Sequence, residues 1–332
     1  MPPSGLHRLV TWAGRTFVYQ APRERDRCPA CDSHRLAALA VHKLQTRIDG
    51  RRTGLVSGCE DCGLVFVNPP PSEVELSSMY APTGEWAEGR LQDAAPAAPP
   101  KPGGAGSWPR LFDPIRGELD VTQPPAGAKV LDFGCGTGKF LDVLGACGWE
   151  TYGIEPALDE AFTRHRRLFE IPATPAFDLV IVHHVLEHVL NPLGLLQQLA
   201  ASARMGAFML VAGPRLDTLP VHRDYRYVIS RVHVTSYTST CMMGLLARAG
   251  WAAVAPPADE VAIAGGRKTA ARMRLVAKRV DRPPPLPVRP LDAAREALRK
   301  YYEQVGPAPA RWIRMAARRA ERGRRRHKDT SG

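Results

Sequence analysis

The sequence predicts an α/β protein built on a doubly wound parallel sheet, with a small cysteine module ahead of it and a helical, basic tail behind. Three observations predict it. A buried-type strand, Val130–Phe133, runs straight into a turn with glycine at 134, 136 and 138, and a helix pattern follows. From there to residue 279, strand and helix patterns alternate with short loops, as in parallel strands joined by crossover helices. Two C-x-x-C pairs, Cys28/Cys31 and Cys59/Cys62, stand upstream of all this.

Taken in order, residues 1–22 read as a lead-in with a short strand over 16–19. Residues 23–80 form the cysteine module. Two residues between cysteines let both sulfurs face one ion, and the stretch between the pairs holds strands over 36–43 and 53–57. In a cytosolic chain this spacing argues for metal rather than disulfides. Cys28, Cys31, Cys59 and Cys62 fit a closed, structural, tetrahedral Zn²⁺ site of zinc-ribbon type. His34 and His42 read as surface residues. Ser72 followed by Glu75 reads as a capping box opening a short helix. Residues 81–107 are a linker, rich in Ala, Pro and Gly from 91 onward. A helix-like piece over 108–121 is expected to lid the ligand pocket.

The core domain, 108–280, then reads as strand 129–133, helix 138–147, strand 151–155, helix 157–168, strand 177–182, helix 192–203, strand 207–212, helix 238–249 and strands 251–255 and 271–279. Asn191-Pro192 starts its helix with a cap and a first-turn proline. Cys135, Cys147 and Cys241 read as small buried apolar residues. Residues 281–332 form the tail, with helices over 291–304 and 309–322 set off by a proline-rich stretch, 283–290.

The net charge of +12 is uneven: from Arg311 to Gly332, nine Arg/Lys against Glu321 and Asp329 leave +7. Such a tail suits an anionic polymer, nucleic acid or a membrane surface, or serves as a solvated solubility tail. The chain has no run of eighteen apolar residues and no h-region with a cleavage site, so a cytoplasmic protein without a transmembrane segment is expected.

The chemistry concentrates around the glycine turn. Alternate glycines allow a tight turn and leave no Cβ in the way of a ligand. Asp132 closes the strand before them, and about twenty residues on, Thr151–Glu155 reads as a second strand ending in a carboxylate. That is the layout of a nucleoside-binding βαβ unit, with the acid placed for ribose hydroxyls. The G-x-G-x-G spacing departs from the G-x-G-x-x-G of a pyrophosphate cradle.

The segment D-x-G-x-G-x-G, together with Phe177–Val189 (FDLVIVHHVLEHV), resembles the class I S-adenosylmethionine (SAM) methyltransferases over roughly residues 110–280. The cysteine module followed by GLVFVNPPPS resembles an N-terminal arrangement found in bacterial methyltransferases of sugar, glycan and natural-product pathways. The resemblance implies a Rossmann-like, seven-stranded sheet with an antiparallel edge. It implies SAM held by Asp132, Gly134, Gly136, Gly138 and Glu155, with His183 beside the methyl donor. Only 21 residues separate Glu155 from Phe177, so the third strand is expected to be very short. In residues 166–176, RRLFEIPATPA, Glu170 is the single acid, and Phe177 is the candidate apolar contact for the adenine.

His184 and His188 are the candidate general bases for removing a proton from a hydroxyl acceptor. Glu187 and His188 are also suited to a divalent metal, as the resemblance implies. His184-x-x-Glu187-His188 matches the H-x-x-E-H metallopeptidase pattern, but that chemistry needs the motif inside a helix, and here it leaves a strand. Residues 220–237, with His222, Arg223, Asp224, Tyr225, Arg226, Tyr227, Arg231 and His233, suit a phosphorylated or sugar-bearing acceptor, or merely lead into the next helix. The expected function is SAM-dependent methylation of a small-molecule or glycan acceptor, O-methylation favoured. The alternatives are an RNA methyltransferase using the cysteine module and basic tail, and a non-catalytic SAM-fold binding protein motivated by the shortened third strand.

Overall fold

The computed structural model describes residues 7–12, 15–20, 25–46, 50–71, 109–156, 164–222, 228–230, 232–255, 258–264 and 267–305. An antiparallel hairpin of β1 (His7–Trp12) and β2 (Arg15–Gln20) comes first; the sequence signals only its second strand. The cysteine module follows as an antiparallel meander of β3 (Leu36–Thr46), β4 (Gly50–Cys59) and β5 (Val65–Asn68). The main domain runs β6 (Lys129–Phe133), α1 (Lys139–Ala146), β7 (Glu150–Ile154), β8 (Arg166–Arg167), β9 (Phe177–His183), α2 (Pro192–Ser202), β10 (Ala203–Pro214), β11 (Thr235–Ser236), α3 (Ser239–Arg248), β12 (Trp251–Ala253), β13 (Ala258–Ala264) and β14 (Arg267–Arg279). The last described element is α4 (Asp292–Val305).

The main sheet has the order β12-β14-β10-β9-β6-β7-β8, with β13 paired to β14. Strands β10, β9, β6, β7 and β8 are parallel, and β14 runs antiparallel to both β10 and β12. The chain starts at β6, steps outward to β8, and then crosses to β9 on the other side. The direction therefore reverses between β6 and β9, and the crevice at their carboxyl ends is where such sheets take ligands.

Side-chain alternation explains why these runs become strands covered on both faces. Leu131, Val180, Val182, Met209 and Val211 pack on one face with residues of α2 and α3. Their neighbours Val130, Leu179, Ile181, Phe208 and Leu210 pack on the other with Phe140, Leu141 and Leu144 of α1. A parallel strand buried on both sides reads as a continuous apolar run, as Asp178–Val182 nearly does. Helix starts follow local chemistry: the Asn191 side chain accepts from Gly194 N ahead of α2, and Thr238 accepts from Cys241 N ahead of α3.

The structure corrects several expectations. The helix over 157–168 does not reach its expected end, because Arg166–Arg167 is a strand, hydrogen-bonded beside β7. That two-residue strand is the third strand, and its brevity follows from the short chain between Glu155 and Phe177. The sheet has eight strands rather than seven, because residues 258–264 fold back on a lengthened β14. The piece over 109–115 is a 3₁₀ turn, and it is no free lid. Phe112, Ile115 and Val121 are buried in the core with Val130 and Phe140, and Trp149 Nε1 donates to Val121 O at 2.9 Å. Cys135 and Cys241 are buried, but Cys147 is half-exposed at the end of α1. The capping box, the linker, and the basic tail from residue 306 lie outside the described residues.

Module and domain share their edges. β11 pairs with β5, giving a four-stranded sheet of order β11-β5-β4-β3. Helix α4, expected as the start of a tail, packs Leu291, Ala294 and Leu298 against Leu39, Val56, Val65 and Val67 of the module and Leu216 and Leu219 after β10. Arg248 of α3 donates to Asp61 O, and Arg295 of α4 pairs with Glu60.

Candidate active site and metal centre

The glycine turn stands at the carboxyl end of β6. Gly134, Gly136 and Gly138 have φ of 76°, 54° and 81°, the left-handed region that penalises any Cβ. Gly134 N and Cys135 N donate to Ile154 O at 2.7 and 3.2 Å, and Gly136 N donates to Glu155 Oε2 at 2.9 Å. The turn is thereby tied to the end of β7, and Glu155 lies against it, buried. Asp132 is buried on the same strand face as Val130. Burial, with Asp132 and Glu155 nearby, pushes the Cys135 thiol well up, so it stays neutral.

A second layer behind this turn has no sequence signature. Asp142 in the first turn of α1 pairs with Arg164 at 2.7 Å and His165 at 2.9 Å, and Arg164 also donates to Thr137 O at 3.0 Å. Burial works against the Asp142 carboxylate, but hydrogen bonds from Arg164 and His165 outweigh it and hold it below the usual carboxylate range. The segment leading into β8 is thus pinned to the glycine turn.

The neighbouring strand β9 delivers the histidines. Asp132 is the partner of Ile181 across the β6–β9 pairing, so His183 stands two residues beyond it, at the height of the glycine turn. The His183 ring lies edge-on to Phe140 of α1 at 5.0 Å and to His184 at 4.7 Å. His184 has φ of 57°, a costly conformation for a residue with a Cβ, and such strain gathers at functional sites. Its amide donates to Ala212 O at 2.8 Å. This turn lets Leu186–His188 form a short 3₁₀ segment. His184 therefore precedes that segment instead of lying on the long helix that H-x-x-E-H peptidases need.

Glu187 is buried between two imidazoles, with Oε1 3.0 Å from His184 Nδ1 and 4.0 Å from His188 Nε2. Burial raises its carboxyl, but the hydrogen bond to His184 and the fields of His184, His188 and His233 outweigh it and bring it to about 2. His188 Nδ1 lies 2.9 Å from Val232 O, and its ring meets His233 at 4.8 Å. A carbonyl can only accept, so Nδ1 carries the hydrogen and Nε2 the lone pair. Burial, opposed by Glu187, lowers His188 to about 4, so it is neutral at physiological pH. Glu187, His188 and His233 offer ligand atoms within 4.8 Å of one another, a donor set that suits a divalent cation. His233 is the member of this group that motif spacing did not single out as a ligand.

Phe177 does not serve the adenine side. It begins the seven-residue β9, with His183 at the other end, and is buried against Tyr152 at 5.4 Å. Parallel strands put the ligand crevice at their carboxyl ends, and Phe177 lies at the amino end. Glu170 is exposed, and Phe169 beside it is 84% exposed with Arg167 over its ring at 4.8 Å. Of residues 220–237, the side chains of His222, Arg223, Asp224, Tyr225, Arg226, Tyr227 and Arg231 lie outside the described residues.

The four module cysteines converge. Cys28 and Cys62 sulfurs are 3.5 Å apart, as are Cys31 and Cys59, and all four lie within 4.8 Å of one another. Four thiolates at about 2.3 Å from a tetrahedral Zn²⁺ stand about 3.8 Å apart, so the set fits that ion. All four are free thiols and three are buried. Hydrogen bonding within the cluster, led by Cys28, lowers Cys31 to about 7 and Cys59 further, while Cys28 and Cys62 rise. His34 is exposed and takes no part.

Against known proteins, residues 106–255 match a family model described as a methyltransferase domain. No curated protein matches the chain. Among solved structures, a Burkholderia thailandensis 1,6-didemethyltoxoflavin N1-methyltransferase with S-adenosylhomocysteine is 14% identical and covers 72% of this chain and 100% of its own, with TM-score 0.45. A Synechocystis magnesium protoporphyrin IX methyltransferase, also with bound S-adenosylhomocysteine, is 14% identical and covers 62% and 98%, with TM-score 0.42. A Mesorhizobium loti SAM-dependent methyltransferase is 17% identical and covers 53% and 99%, with TM-score 0.39. The family match spans the glycine turn, Glu155 and the His184–His188 loop, and it supports a methyltransferase domain over residues 106–255.

Proposed function

We propose that the enzyme transfers a methyl group to a hydroxyl of a small-molecule or glycan acceptor, with His188 or His184 taking the hydroxyl proton. The observation that carries this reading is the adjacency of two built features. The turn that suits the methyl donor ends β6, and two imidazoles with fixed tautomers end its neighbour β9, about 5 Å away across the sheet.

When bound, SAM supplies a methyl group activated on a sulfonium. The residues fit such a ligand: three left-handed glycines keep Cβ atoms out of the turn, and a buried carboxylate, Glu155, is held at the strand end where ribose hydroxyls need an acceptor. Asp132 supports the turn from the strand below. Phe169 offers an exposed apolar ring at the end of the short third strand, and Glu170 stands beside it. On the acceptor side, the ionised Glu187 accepts from His184 Nδ1 and so leaves the lone pair on Nε2. Val232 O does the same for His188. Either Nε2 can accept a proton as the hydroxyl oxygen attacks, and most of the rate comes from holding the two reactants in line. Structural Zn²⁺ in the four-cysteine cluster fits the module, and a sugar, glycan or natural-product acceptor fits the resemblance of its N-terminal arrangement.

Calorimetric titration with S-adenosylhomocysteine tests the donor half, with wild type beside Glu155→Ala and Glu155→Gln. Saturable binding that weakens in both variants supports the assignment. No binding by folded wild type would sink the enzyme reading. Screening of hydroxylated acceptors with methyl-labelled SAM then tests the acceptor half, and transfer to nitrogen or carbon alone would overturn O-methylation.

A further inference from the structure

The loop after β9 carries Glu187 and His188, yet little in its own sequence fixes it. Its anchor is the carbonyl of Leu186. Tyr237 OH lies 2.7 Å from that oxygen and Thr235 Oγ1 lies 2.8 Å from it, and the two hydroxyls are 2.6 Å apart. Two hydroxyl hydrogens serve three short contacts, because the carbonyl only accepts. One hydrogen goes to the carbonyl and the other links the hydroxyls. Both side chains are buried, at 1% and 2% exposure, so neither contact is exchanged with water. Burial pushes the Tyr237 phenol well up, and it remains a donor.

The same short segment makes further long-range contacts to this loop. Val232 O accepts from His188 Nδ1, and the His233 ring packs on His188. The segment then becomes β11, with Thr235 opposite Phe66 and Ser236 opposite Val65 of β5. Val67 N also donates to Val234 O at 3.0 Å. Val65 follows Cys62 by three residues, and Cys59 N donates to Leu64 O at 2.9 Å. Tyr237 packs in one cluster with Cys28, Cys59, Cys62, Leu64 and Phe66. A continuous chain of contacts therefore runs from the four sulfurs through β5 and β11 to the peptide ahead of Glu187.

We infer that Thr235 and Tyr237 are positioning residues for the Glu187–His188 loop, and that the cysteine module sets their placement by pairing β5 with β11. The module is then part of the acceptor side of the active site, and metal at the four cysteines governs that side without touching it. The inference rests on reading the loop as the acceptor side, but its test needs no acceptor. The amides of His188 and Val189 bond Val185 O and Leu186 O within the loop, so their hydrogen exchange reports its order.

The experiment is hydrogen-exchange mass spectrometry on the full chain, zinc-loaded, with zinc content measured in parallel. In each single variant, Thr235→Val or Tyr237→Phe, the remaining hydroxyl still donates to Leu186 O, so exchange at 186–190 rises little. The double variant rises about tenfold or more, the factor corresponding to one lost buried hydrogen bond, while peptides over 56–68 keep wild-type protection and zinc. Thr235→Ser with Tyr237→Phe keeps one donor and restores slow exchange. Histidine ¹⁵N spectra of the double variant show the His188 ring leaving its wild-type shifts, and those of the serine variant do not. Removing zinc from wild type with a chelator under reducing conditions loosens 186–190 together with 56–68. The inference is overturned if chelation loosens the module alone, or if the double variant exchanges as wild type. Should the Val/Phe protein fail to fold, the chelation arm and the Ser/Phe variant still decide. S-adenosylhomocysteine binding, measured separately, reports on the transferase reading and not on this one.

Discussion

Gly134→Ala is the substitution whose cost the structure sets most directly. Gly134 has φ of 76°, and a Cβ there stands 2.5 Å from Val185 Cγ2, too near for any real contact. The left-handed backbone costs an L-residue roughly 1–2 kcal/mol. Forcing a methyl into an occupied space adds roughly 1–3 kcal/mol. The sum, roughly 2–5 kcal/mol of stability, is a large part of what a domain possesses. The collision also has a direction. Val185 lies between His184 and the Leu186–His188 turn, so relief moves either the donor turn or the acceptor loop. Urea unfolding measures the stability loss, and calorimetry with S-adenosylhomocysteine measures the binding loss on the same protein. Adding Val185→Ala separates the two terms, because it removes Cγ2 and leaves φ unchanged. The double variant should recover the collision part and keep the backbone part. Gly134→Ala with wild-type stability and affinity would refute both the turn geometry and the packing of the loop against it.

The remaining predictions concern charge, metal and backbone. His188 falls to about 4 from 6.5, so the unfolded chain binds more protons between those values, and stability is lost as pH drops from 6.5 towards 4. Glu187, at about 2 against 4.5, extends the loss between pH 4.5 and 2, so a flat stability from pH 6.5 to 4 in urea melts would exclude a buried neutral His188. Cys59→Ser leaves three thiols in the cluster, and zinc content and melting temperature fall together; one retained zinc per chain at wild-type Tm would remove the ion from these sulfurs. Arg289 has φ of 48° and an exposed side chain, so Arg289→Gly stabilises the chain by about 0.5–1 kcal/mol in the same melts, and a loss would assign the guanidinium a partner.

The glycine turn, the proposed donor half of the site, was legible because it is local. Asp132, the three glycines and the start of α1 are contiguous, and Glu155 follows by a fixed spacing, so one short window contains both the turn and its reason. The strands over 129–133, 177–182 and 207–212 were legible for a similar reason: both faces are covered, and the sequence shows it as nearly continuous apolar runs. The short third strand followed from chain length alone. What failed to show was long-range or backbone-based. Nothing in Arg164 and His165 announces Asp142, more than twenty residues earlier. No spacing rule assigns φ of 57° to His184, because the cause is the sharp exit from β9 towards the 3₁₀ turn. Phe177 was misplaced because composition gives a ring but not the end of the strand it occupies. The boundary of the tail failed because α4 is amphipathic and its apolar face is claimed by the module.

That asymmetry bears on how the active site is built. The donor turn is held by bonds between residues that are neighbours in sequence or on adjacent strands, so the βαβ unit carries it wherever it occurs. The acceptor loop is held by partners 44 to 51 residues away: Val232 for His188, and Thr235 and Tyr237 for Leu186. Those partners belong to the segment that closes the cysteine module's sheet. A common donor geometry can therefore persist while the acceptor side changes with whatever is attached to β11. In this chain the attachment is a four-cysteine module locked from behind by α4. The residues that choose the acceptor are then expected between Arg215 and Tyr237 and on the module face beside β5, where the sequence is least patterned and the packing most specific to this protein.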